Sequence, residues 1–140
     1  MRPLKSLTFE SVIQKLSSSF LKISDARATE RVKYSLRDTL MSGFAMMFFH
    51  HPSLLQFQER MKLKLGQCNL ETIFGVKALP SDTQMREILD AVDPEPLRRM
   101  LPELFEDVRR AGWAEQYKTT LPSGKDKGDY FTMPIRAIAL

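Results

Sequence analysis

The residues best suited to chemistry lie in the run Ser81-Asp82-Thr83-Gln84-Met85-Arg86. Ser81 as N-cap and Gln84 three residues later form a capping box, so a helix begins here and its first turn offers free backbone N–H groups. Thr83 and Gln84 are short enough to reach phosphate oxygens or base edges from that turn, with Arg86 one step further along. Asp82, Glu87 and Asp90 sit on the same helix and would oppose a polyanion. Two further pairs of cations suit phosphate. Lys33 and Arg37 stand at i and i+4, which predicts a shared helical face, and Lys62 and Lys64 cluster near the end of another helix. A solvated helix face accounts for either pair as well, and favourable placement near a helix C-terminus accounts for the second.

Other combinations point away from catalysis. His50 and His51 are adjacent, so on a helix their side chains diverge by about 100° and cannot chelate one metal together. Cys68 has no spaced partner. Pro122-Ser123-Gly124-Lys125 lacks the first glycine of a phosphate loop and has Asp126 where the hydroxyl residue belongs, so it reads as a turn. Asp82, Asp90, Asp93, Asp107 and Asp129 show no spacing that would hold two carboxylates on one metal or substrate. No catalytic or metal-ligating residue is predicted.

The elements that must position these residues are mostly helical. Thr8 caps a first helix with Val12, Ile13, Leu16, Phe20 and Ile23 on one face. A main helix is predicted over about 31–51, charged at its start and apolar on nearly all sides later, which places it at the centre of a bundle. Pro52 ends it. A third helix follows from about Ser53, with Leu54, Phe57, Met61 and Leu65 on one face and Gly66 just past its end. Asn69 then caps a short helix carrying Leu70, Ile73 and Phe74 and closed by Gly75. The capping-box helix buries Met85, Ile88, Leu89 and Val92. Asp93-Pro94 starts another helix, which is kinked at Pro102 and runs to Gly112. The segment from Asn69 to Val92 is therefore helix-turn-helix-like, although the connection between Gly75 and Ser81 is longer than a tight turn. Beyond Trp113 the period changes: 117–121 and 129–135 read as strands of a hairpin.

Composition is ordinary for a globular chain of 140 residues, with 43% hydrophobic and 27% charged residues. The net charge of +4 is uneven. Residues 1–68 carry 11 basic and 5 acidic residues, and residues 69–140 carry 10 and 12. A cationic half suits a phosphate-bearing partner. A single cysteine rules out an internal disulfide, and no signal sequence opens the chain, so a cytoplasmic location is expected. The one long apolar run, Leu40 to Phe49, is about half the length a membrane helix requires, so no membrane partner is expected.

Several stretches taken together resemble the N-terminal region of bacterial insertion-sequence transposases of the DDE, ribonuclease-H-like class. They are Leu40-Met41-Ser42-Gly43-Phe44-Ala45-Met46 with Pro52-Ser53-Leu54-Leu55-Gln56-Phe57, then Asn69-Leu70 through Phe74-Gly75-Val76, and Pro80-Ser81-Asp82-Thr83-Gln84-Met85-Arg86 with Leu89-Asp90. Lys118-Thr119-Thr120-Leu121-Pro122-Ser123-Gly124-Lys125 through Gly128-Asp129-Tyr130-Phe131 extends the likeness, which spans about residues 33–135.

The resemblance implies a helical region preceding a catalytic sheet, whose first strand runs into an Asp-Gly pair carrying the first metal-binding aspartate. After Ile135 this sequence has Arg136-Ala137 instead, and an arginine cannot ligate Mg²⁺. The expectation is a truncated or frameshifted transposase that is not an enzyme by itself. It needs no cofactor of its own, whereas the full-length family would use Mg²⁺. Its expected architecture is mainly α: an N-terminal helix and linker over 1–30, a helical domain over 31–112 with a helix-turn-helix-like segment, and a β-hairpin stub over 113–140. Its expected partner is DNA at the element's terminal repeats, contacted by Lys33, Arg37, Lys62, Lys64, Thr83, Gln84 and Arg86. The alternatives are a protein-interaction fragment, contacting another copy or inhibiting the full-length transposase, and a remnant without function.

Overall fold

A computed structural model describes residues 7–27 and 32–115, together with the backbone of 118–119 and 130–131. The fold is mainly α. Among the described residues the helices are α1 (Phe9–Leu21), α2 (Leu36–Phe48), α3 (Leu54–Lys62), α4 (Lys64–Phe74), α5 (Asp82–Asp90) and α6 (Glu95–Arg110). Two-residue strands, β1 (Lys118–Thr119) and β2 (Tyr130–Phe131), pair antiparallel with Lys118 opposite Phe131 and Thr119 opposite Tyr130. The rest of the expected hairpin lies outside the described residues. The chain divides into two compact units, one of which is Phe9–Leu97 and so ends inside α6. That unit contains α1 to α5.

Within that unit α2 is the central element, packed against α1, α4 and α5. Met41 and Ala45 are fully buried on it, facing a core that includes Leu16, Phe20, Phe57, Leu70, Phe74 and Met85. Each such aliphatic or aromatic side chain contributes about 1.5–3 kcal/mol relative to remaining exposed. Thr39 and Ser42 are also fully buried. Their hydroxyls donate back along the helix, Thr39 Oγ1 to the Ser35 carbonyl at 3.0 Å and Ser42 Oγ to the Asp38 carbonyl at 2.7 Å. Among the described residues no buried side-chain nitrogen or oxygen is left without a partner.

α2 is shorter than its sequence predicts. Ser35 is the N-cap, its hydroxyl accepting from the Asp38 N–H at 3.0 Å, so the helix starts at Leu36. Its other end is closed before Pro52. His50 adopts a left-handed conformation (φ 56°), its N–H donates to the Met47 carbonyl, and the His51 N–H reaches the Met46 carbonyl, each at 3.1 Å. This is a Schellman closure with histidine where glycine is usual.

The region after Ser53 also departs from expectation. The third helix stops at Lys62, and the single extended residue Leu63 (φ −69°, ψ 144°) separates it from α4. Gly66 and Asn69, expected as helix-terminal residues, lie inside α4 instead. Gly66 is needed for proximity rather than for a turn: a Cβ there would collide with the Arg60 carbonyl oxygen and lie 2.8 Å from Met61 Cα. Leu65, placed by its spacing on the buried face of the third helix, is 79% exposed because it belongs to α4.

The remaining punctuation follows the sequence. Gly75 closes α4 in the left-handed region (φ 63°), with its N–H on the Glu71 carbonyl. Asp93 Oδ1 accepts from the Glu95 N–H at 3.0 Å, capping α6, which continues through Pro102. Gly112 (φ 81°) ends α6, with Gly112 N–H on Arg109 O and Trp113 N–H on Val108 O.

Candidate functional site

The start of α5 is held from three directions. Locally the capping box is complete: the Gln84 N–H donates to Ser81 Oγ at 3.2 Å, and Gln84 Oε1 accepts from the Ser81 N–H at 3.2 Å and the Ser81 hydroxyl at 3.1 Å. From α3, the buried Gln58 donates its side-chain amide to the carbonyl of Pro80, itself buried. From α2, Asp38 Oδ2 accepts from the Lys77 N–H at 3.2 Å. The connection 75–81 is thus a fixed strap, with Val76 and Pro80 buried as its pegs. The main packing partners of α5 are α2 and α3. That arrangement is broader than a two-helix unit closed by a tight turn.

On this scaffold Thr83, Gln84 and Arg86 all lie exposed at the beginning of α5, while Met85 and Ile88 face inward. The capping box changes what Gln84 can do. A glutamine reading adenine uses its carbonyl oxygen and its amide together. Here Oε1 is engaged with Ser81, so the free capability of the Gln84 side chain is donation from Nε2. Arg86 makes no hydrogen bond or ion pair among the described residues, and its guanidinium remains available to a ligand.

The other predicted contacts are dispersed. Lys33 is exposed and precedes α2, so it does not share a helical face with Arg37; its ammonium lies 5.3 Å from the centre of the Tyr34 ring. Arg37 is turned inward. Its Nε donates to Ser17 Oγ at 3.0 Å, Nη1 to Asp38 Oδ1 at 2.8 Å and to the Gly75 carbonyl at 2.6 Å, and Nη2 to the Phe74 carbonyl at 3.1 Å. These bonds tie α1, α2 and the carboxyl end of α4 together, which is a structural task for a residue expected to meet phosphate. Leu63 separates Lys62 and Lys64, and the two line different grooves. Lys64 lies with Arg60 and Leu65 in an open groove of 1150 Å³, whereas Lys62 lies with Gln67, Glu71 and Lys77 in one of 380 Å³ between α3, α4 and the strap.

Gln58, Asp38 and Lys77 carry no signal in the sequence. Each matters through a partner about 20 to 40 positions away, which no local periodicity reveals.

Among the described residues no three His, Cys, Asp or Glu side chains converge as a metal site would require, and Cys68 is exposed. Among them, too, no helix is long and apolar enough to cross a membrane. No protein-family model, curated protein or solved structure matches this chain.

Proposed function

We propose that this chain is a DNA-binding helical region of the transposase type, contributing recognition of an element's ends rather than strand-transfer chemistry. The observation that carries the reading is the amino-terminal turn of α5. It is pinned by Gln58 and its capping box, and it projects Thr83, Gln84 Nε2 and Arg86 to solvent. A rigid turn with exposed N–H groups and an adjacent guanidinium suits a phosphate or base edge, and pre-organisation lowers the ordering cost of binding. Thr83 and Arg86 are the base-contact residues in this reading, Gln84 is a donor, and Lys62 is a supporting cation. Lys33 and Lys64 add only diffuse positive charge.

The test is fluorescence anisotropy of duplexes carrying the terminal repeats that flank the gene, with scrambled duplexes alongside, across a salt series. Binding should weaken steeply with salt, and Arg86→Ala should weaken the terminal-repeat duplex more than the scrambled one. Absence of binding to any duplex at low salt rejects the reading.

A second reading, contact with another transposase copy, draws on the exposed apolar side chains Met47 (70%) and Phe48 (45%) at the end of α2. Sedimentation of the purified chain tests it. A monomer at all concentrations, whose state Phe48→Ser does not alter, removes self-association.

A further inference from the structure

We infer that the 380 Å³ groove between the carboxyl end of α3, α4 and the strap before α5 grips a backbone phosphate of the same duplex that α5 approaches, with Lys62 and Lys77 as its two jaws. This rests on the DNA-binding reading above. It assigns a role to Lys77, which neither sequence spacing nor helix propensity singles out.

The groove has the components of a phosphate grip. Neither ammonium group, of Lys62 or of Lys77, has a hydrogen-bonding or ionic partner among the described residues. Both side chains are exposed, yet their backbones are fixed. Lys62 ends α3, and the Lys77 N–H is held by the buried carboxylate of Asp38. Met61, Leu70 and Val76 are buried beneath the groove, whose exposed lining is mixed, with Gln67 and Glu71 beside the two lysines. Glu71 lies in the same groove and opposes an anion, so a lone phosphate ion meets only a small net positive charge there.

Geometry argues for a duplex rather than a free anion or an acidic peptide. Gln58 and Lys62 stand one turn apart on α3, and Gln58 holds the carbonyl of Pro80, the residue preceding the α5 cap. The groove's lining extends along the strap to Leu79, two residues before the Ser81 cap of α5. A repeating phosphate chain can occupy both at once, with base edges read at α5 and the backbone held at the groove.

The experiment is the salt dependence of duplex binding for the full chain and for Lys62→Ala, Lys77→Ala and Glu71→Gln, with Lys22→Ala at the exposed end of α1 as control. Lys62→Ala and Lys77→Ala combined should lower the slope of log K against log salt by about 0.9, equivalent to roughly eightfold weaker binding at 0.1 M salt, with each single change taking part of that loss. The loss should be equal for terminal-repeat and scrambled duplexes, because phosphate contacts carry no sequence information. Glu71→Gln should tighten both, and Lys22→Ala should change neither. If the chain binds duplex but the groove variants keep its slope and affinity, the groove assignment is overturned while the DNA-binding reading stands. If the variants lose binding to poly-glutamate but not to duplex, the surface is a peptide site and the inference is likewise overturned. If the unaltered chain binds no duplex at all, both fall.

Discussion

Replacing Arg37 by alanine should cost the fold about 3 kcal/mol, although its position beside Lys33 in the sequence resembles that of a surface cation. The side chain is only 18% exposed and that of Asp38 only 12%. Removing the guanidinium deletes hydrogen bonds to Ser17 Oγ, to the carbonyls of Phe74 and Gly75, and to Asp38. Breaking one partner of a fully buried ion pair costs about 3–5 kcal/mol because the other charge is stranded. Asp38 keeps the Lys77 N–H, and water reaches the partly exposed carbonyls, which argues for the lower end. Over a chain of this size, 3 kcal/mol corresponds to a fall in Tm of about 10 °C. Urea unfolding followed by circular dichroism measures it directly as a lower midpoint at unchanged slope. Arg37→Lys should recover less than half, since an ammonium cannot span the four acceptors. In a double-mutant cycle with Asp38→Asn the two losses should be strongly non-additive. An Arg37→Ala variant within about 0.5 kcal/mol of the parent, the span of ordinary surface substitutions, would refute the clamp.

Four further substitutions or conditions probe separate parts of the scaffold. Gly66→Ala should destabilise by roughly 2 kcal/mol or more in the same urea assay, because its Cβ falls on the backbone of α3 and overpacking has no flexible neighbour to relieve it. His50→Gly should stabilise by about 1 kcal/mol by relieving the left-handed conformation, seen as a higher Tm; a lower Tm would mean that the imidazole makes a compensating contact. Ser81→Ala removes the α5 cap and should cost about 1 kcal/mol, with faster amide exchange at Gln84 as its local signature. The Arg27 side chain, hydrogen-bonded to Asp25, holds that carboxyl below the ordinary aspartate range. The small stabilisation from this pair should therefore be complete above that range and be lost as pH falls through the lowered value. A carboxyl-carbon NMR titration of Asp25 should show its midpoint rising in Arg27→Ala.

Local punctuation is what the sequence by itself determined. The Ser81–Gln84 capping box, the left-handed glycines at 75 and 112 and the Asp93 cap each depend on residues within one turn of each other, so their chemistry is complete in a few consecutive letters. The apolar periods of α1 and α5 are legible for the same reason, as is the mainly helical fold. Tertiary structure decided everything that depended on what stood opposite. The break at Leu63 serves the approach of α4 to α3 at Gly66, and it sends Lys62 and Lys64 into different grooves. Arg37 turned inward because the carboxyl end of α4 and the buried Asp38 together offered its guanidinium four acceptors with Ser17. Lys77 and Gln58 acquired their places through partners 39 and 22 positions away. A charged side chain takes its role from the acceptors and the dielectric around it, and those are assembled only when the helices pack.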